Sequence, residues 1–209
     1  MFVIKTTTKK GNNMKTLLKI GVVLPMVFFA SNASAIDYDY LQNDFIFKKG
    51  DTNLRYRQFF DKDQGHLQLE KKVGDISYAY RVAQKDGDIA ENRIRVTHKG
   101  GDWHGFFVKP RLEYRMLENN EDYLRIIPIV GYKTGYKKLS VYALAAPMIA
   151  VYGKPEGENG KMYTTQYDAG FDYKLTRGVT TGLYVRRKTD DSNWRKKSEF
   201  ISTKITFNF

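Results

Sequence analysis

Cysteine is absent from all 209 residues, which removes disulfides, thiolate nucleophiles and thiolate metal sites at once. Histidine is scarce: His66, His98 and His104 are the only three. No serine accompanies a histidine at a spacing that suggests a catalytic dyad, and no histidine–carboxylate cluster has metal-ligand spacing. The stretch Lys99-Gly100-Gly101-Asp102 reads as a hairpin turn, not as a phosphate-binding glycine loop. An enzyme is therefore not expected, and neither a cofactor nor a metal. There is no apolar run of the ~20 residues that a transmembrane helix needs, and no long helical period or solenoid repeat.

The amino-terminal segment has its own composition. Met1 is followed by a second candidate start, Met14, after which Lys15 and Lys19 form a basic stretch and Ile20 to Phe29 an apolar one. Ala33-Ser34-Ala35 then fits a small-residue cleavage site, so residues 1–35 are expected to be a cleaved signal peptide. Lys plus Arg exceeds Asp plus Glu by 12; residues 1–35 hold five lysines and no acid, which leaves an excess of seven for the mature chain. A basic balance first suggests nucleic acid. An exported chain rarely meets it, so no nucleic acid is expected, and an anionic solute or the phosphates of lipopolysaccharide fit better.

What the mature chain has in abundance is alternation. In the last segment, Ile201, Thr203, Ile205, Phe207 and Phe209 share one parity, while Ser202, Lys204, Thr206 and Asn208 share the other. That is the period of a strand with one apolar and one polar face. Together with the signal segment and the terminal aromatic, it suggests the closing strand of an outer-membrane barrel, although a soluble β-protein could also end this way. The mean hydropathy of −0.53 suits a barrel, in which every second residue faces water. Fifteen tyrosines and 13 phenylalanines suit aromatic girdles, though soluble β-proteins are also rich in aromatics.

Strands are expected at Asn53 to Phe60, His66 to Val73, Ile76 to Ala83, Ile89 to His98 and Trp103 to Met116. Five more are expected at Tyr123 to Lys133, Lys138 to Tyr152, Met162 to Lys174, Val179 to Lys188 and Ser198 to Phe209. Tight turns at Gly74-Asp75, Lys99 to Asp102, Thr134 to Lys137 and Leu175 to Gly178 alternate with mostly longer, more charged loops. The loops are Asp61 to Gly65, Gln84 to Asp88, Leu117 to Asp122, Gly153 to Lys161 and Thr189 to Lys197. The fold class is thus all-β: a transmembrane up-and-down antiparallel β-barrel over residues 53–209, of about ten strands with twelve as the alternative. Turns and both chain ends would lie in the periplasm and loops outside, in the outer membrane of a Gram-negative cell. Residues 36–52 do not fit an even count and read as an extension or an extra strand.

Splitting each strand by parity separates charge from apolar surface. In the fifth, Phe106, Val108, Pro110, Leu112 and Tyr114 oppose Phe107, Lys109, Arg111, Glu113 and Arg115. In the others Arg55, Arg57, Arg81, Arg93, Arg95, Arg125, Arg186 and Lys204 also oppose aliphatic or tyrosine sets. An arginine on the lipid face costs about 2–4 kcal/mol at the bilayer midplane. These eleven cations are therefore expected to line the lumen, where Glu113, Asp168 and Asp172 are too few to neutralise them. Lys138 to Tyr152 is apolar on both parities over Val141 to Ala150, which leaves its two faces unassigned.

From Leu54 onwards the order resembles the oligogalacturonate-specific porins, small monomeric outer-membrane channels that include a sialic-acid-type member. The matching pieces are Leu54-Arg55-Tyr56-Arg57, Val108 to Arg115, Leu124-Arg125-Ile126-Ile127-Pro128, Leu139 to Leu144 and Tyr167 to Tyr173. They match as strand rhythm with arginine placement, without a long identical motif. The resemblance implies a monomer whose arginine-lined pore passes acidic oligosaccharides. Members of that family usually have twelve strands from the mature amino terminus, so this chain reads as one hairpin short and narrower. Two alternatives stay open: a side-chain-filled structural barrel that transports nothing, and an outer-membrane lipid-modifying enzyme.

Overall fold

The computed structural model describes residues 39–60, 63–118, 120–153, 160–190 and 196–209. The expected signal peptide lies outside these residues, as do residues 61–62, 119, 154–159 and 191–195 of the expected loops. Within them the regular structure is all strand. In chain order these are β1 (Tyr40–Lys49), β2 (Thr52–Phe59), β3 (Gln64–Val73), β4 (Ile76–Lys85), β5 (Asp88–His98) and β6 (Gly101–Trp103). Then follow β7 (Phe106–Leu117), β8 (Tyr123–Tyr136), β9 (Leu139–Tyr152), β10 (Met162–Lys174), β11 (Val179–Asp190) and β12 (Lys196–Asn208).

Neighbouring strands pair antiparallel and the sheet closes on itself, a closed up-and-down barrel as expected. β5 and β6 share one place in the wall, because β6 pairs with the start of β7 (Gly101 opposite Val108) and β5 with the rest (Thr97 opposite Arg111). Eleven strand positions therefore go round, with β6 as the additional short strand. The eleventh is β1: of the two sequence readings for residues 36–52, the extra strand is the one realised. It pairs antiparallel with β2 and parallel with β12, from Tyr40 opposite Phe200 to Lys48 opposite Asn208. An odd ring demands this, since the first and last strands of an alternating series of odd length run the same way. The even count of ten and the placing of both chain ends on one side are corrected accordingly. Asp39 donates its N–H to Glu199 at the loop end, while Phe209 donates to Lys48 at the turn end.

Turn chemistry sets the register. The β6–β7 hairpin turns at His104-Gly105, both at positive φ (49° and 89°), not at Lys99 to Asp102. Gly100 instead carries the break between β5 and β6, at φ 67°, where a Cβ would stand 1.6 Å from the carbonyl oxygen of Val108. Asp86-Gly87, expected within a longer loop, is a two-residue turn with φ of 52° and 90°. The β8–β9 connection lies at Lys137-Lys138, overlapping only the last residue of the stretch expected to turn.

The two faces are inverted relative to a soluble protein. Leu67, Leu69, Tyr78, Tyr80, Ile94, Phe106, Val108 and Leu112 point outward and are exposed. Asp44, Glu113, Arg57, Arg81 and Arg125 point inward and are buried. An exposed apolar surface running round a barrel is far larger than the few hundred Å² a soluble monomer shows. At the parallel seam, Phe47 and Phe207 stack on that outer face with ring centres 5.3 Å apart.

Candidate functional site: the charged lumen

Alternation along β2, β4, β5, β7, β8 and β11 delivers nine of the expected cations to one internal cavity of about 570 Å³: Arg55, Arg57, Arg81, Arg93, Arg95, Arg111, Arg115, Arg125 and Arg186. Lys109 and Lys204 share their parity but sit nearer the turn end, outside that lining. Lys109 is exposed, its ammonium 5.0 Å from the Phe107 ring centre, and Lys204 pairs with Asp172 at 2.5 Å.

Carboxylates anchor most of the guanidinium groups to the wall. Asp44 on β1 accepts from Arg55 at 2.5 Å, from Arg57 Nε at 2.8 Å and from the Tyr184 hydroxyl at 2.6 Å. Gln42 extends that group, donating to Tyr184 at 2.9 Å and Ser202 at 3.0 Å. On the other side Glu113 is flanked by Arg95 and Arg125, with Arg93 at 3.6 Å. Glu91 joins Arg93 and Arg115, and Asp168 takes a bidentate pair from Arg186 at 2.6 and 2.5 Å. Such fork-to-carboxylate pairs are the geometry guanidinium favours. Among the described residues, the lumenal ion pairs lie within one strand (Arg93–Glu91) or join neighbouring or next-but-one strands, so they run around the wall.

Four cations in the lining have no carboxylate within ion-pair distance among the described residues; Lys197, the exposed one, donates to the Thr164 hydroxyl at 3.3 Å. Arg111 donates only to the Thr97 hydroxyl, at 3.0 Å. Arg81 meets His66, its Nε without a partner, and lies within electrostatic range of Arg93, Arg95 and Arg57 and, more weakly, of Glu113. Lys188, on the parity of Arg186, lies within range of Arg81, Arg93, Arg125 and Arg186. Burying such charges unpaired is expensive, so the site has an unmet demand for anions.

The opposite wall is apolar. Ile127 and Ile129 of β8 and Leu144, Ala146 and Met148 of β9 line the same cavity, with Phe107 and Tyr163 packed against them. This assigns the two faces left open for β9; strict alternation along β10 would put Tyr163 on the outward parity of Tyr167. A register shift between Met162 and Thr164 turns that ring inward, where its hydroxyl accepts from Arg125 at 2.6 Å. Gly131 makes room for the wall: a Cβ there would stand 2.6 Å from the Phe107 ring.

Several of these groups were open to sequence reasoning. Glu91 shares the parity of Arg93 and Arg95, Glu70 that of Gln68, and Lys188 that of Arg186. Asp44 had no such signal, because its strand alternates poorly: Asn43 is on the outer parity and Ile46 on the inner.

Compared with models of known protein families and with curated proteins, the chain matches none. The fold is compatible with an outer-membrane protein, and the functional argument rests on the lumen itself.

Proposed function

We propose that the chain is an outer-membrane channel through which small anions pass along an arginine-lined lumen, acidic oligosaccharides among them. The observation that carries this is the charge imbalance of the cavity: nine arginines with Lys188 and Lys197 line it, against Glu70, Glu113 and Asp168 in the lining and Asp44 and Glu91 paired to four of the arginines. Basic linings attract anions and repel cations. The anchored guanidinium groups hold their shape without reorganising, while Arg81, Arg111 and Lys188 are left to meet a passing anion. The exposed apolar exterior supports a hydrocarbon surrounding, and the resemblance to oligogalacturonate porins supports a polyanionic solute. Purified protein in planar bilayers is expected to open anion-selective conductances that oligogalacturonate reduces.

A second reading, a structural barrel with a filled interior, is favoured by the density of ion pairs around Asp44 and Glu113, both 1 % exposed. A folded, inserted barrel with no conductance decides for it.

A further inference from the structure

The cavity is two-faced, and that narrows what it takes. A solute bearing only hydroxyls and carboxylates would satisfy the arginine wall but leave Ile127, Ile129, Leu144, Ala146 and Met148 against its polar groups. Desolvating those groups without partners costs more than a hydrogen bond returns. Lumens that merely conduct are polar throughout. Here the apolar wall stands in the same cavity as Arg81, Arg111 and Lys188, buried cations without a carboxylate in ion-pair distance, and Arg125 donates to Met148 Sδ at 3.1 Å.

We infer that the lumen holds a binding site for a small anion with an apolar body, an aromatic or short alkyl carboxylate or sulfonate. The anion would lie toward Arg81, Arg111 and Lys188, and the body against Ile127, Leu144 and Met148. A volume of about 570 Å³ is within the range of small-molecule sites. This rests on the proposed anion-selective lumen and specifies the solute class.

The test is calorimetric titration of the full mature chain, folded in zwitterionic micelles, with three probes: naphthalene-2-sulfonate, methanesulfonate and the neutral naphthalene-2-methanol. Titrations into empty micelles correct for partitioning. The expected result is that naphthalene-2-sulfonate binds at least about tenfold more tightly than either other probe, since each lacks one half of the match. Ile127→Ser should weaken naphthalene-2-sulfonate about tenfold and methanesulfonate less than about twofold, whereas Arg111→Ser weakens both. Should Ile127→Ser not fold, Met148→Gln, which keeps the side-chain length, carries the same comparison. Equal affinity for the two sulfonates, equal affinity for the neutral probe, no binding, or insensitivity to the apolar-wall variants would each overturn the inference. Conductance of the same preparation reads separately: a conducting barrel without aromatic preference keeps the channel and discards this site, and a silent barrel with the preference does the reverse.

Discussion

The wall built by β2 to β7 and the wall built by β8 and β9 face the same cavity yet follow different rules. On the first, charged and hydrogen-bonding side chains dominate the inward positions, with Phe59, Ala79, Ala83 and Phe107 between them, and carboxylates on neighbouring strands hold the guanidinium groups in place. On the second, beside Tyr123 and Arg125 at the start of β8, Ile127, Ile129, Leu144, Ala146 and Met148 form an inward patch whose members hold one another by packing. Removing a group from the first should expose charge to charge, and removing one from the second should leave a void. Stability and selectivity are thus separable, because stabilising carboxylates and uncompensated cations are different residues on one wall.

The largest effect is expected from Glu113→Ala, which deprives Arg93, Arg95 and Arg125 of their shared acceptor. Breaking a buried pair this way costs about 3–5 kcal/mol, and urea unfolding of the barrel in lipid vesicles measures it. Next is Ile127→Ala on the apolar wall, expected to cost about 2–4 kcal/mol in the same assay while leaving the reversal potential under a salt gradient unchanged. Arg111→Ser should invert that pattern: less than about 1 kcal/mol of stability, because no carboxylate loses a partner, but a reversal potential shifted toward the cation side.

The smallest effect lies outside both walls. At the β3–β4 turn a hydrogen bond from Lys99, 2.8 Å away, holds Asp75 below the usual carboxylate range. A depressed folded pKa gives stability that is present above the unfolded value and lost as pH falls through the folded one. The difference in urea midpoint between wild type and Asp75→Asn should therefore be slight at pH 7 and vanish under strong acid.

Much of the arginine wall was legible because its signal is redundant. Arg93, Arg95, Arg111 and Arg115 sit on strands whose other parity is aliphatic or aromatic, and the cost of a lipid-facing guanidinium leaves one orientation. The apolar wall was not, since a strand that is apolar on both faces shows no alternation. Tyr163 departs from simple alternation for another reason: a single extra residue at the start of β10 inverts parity, and nothing in the composition marks it. β1 was legible only as one of two readings, because Asn43 on its outer face, bonded to Thr203 across the parallel seam, breaks the alternation. That seam could not be foreseen from an even-numbered expectation, because parallel closure follows only once the odd count is known.

The account depends on the outer face meeting lipid and the inner face meeting water. The absence of cysteine allows this to be read directly, with single cysteines placed at outward Leu69 and Leu112 and at inward Gln68 and Arg111, each carrying an environment-sensitive fluorophore. In vesicles of brominated lipid, quenching is expected at Leu69 and Leu112 but not at Gln68 and Arg111. Equal quenching at all four, or quenching confined to the inward pair, would contradict the partition and the channel built on it.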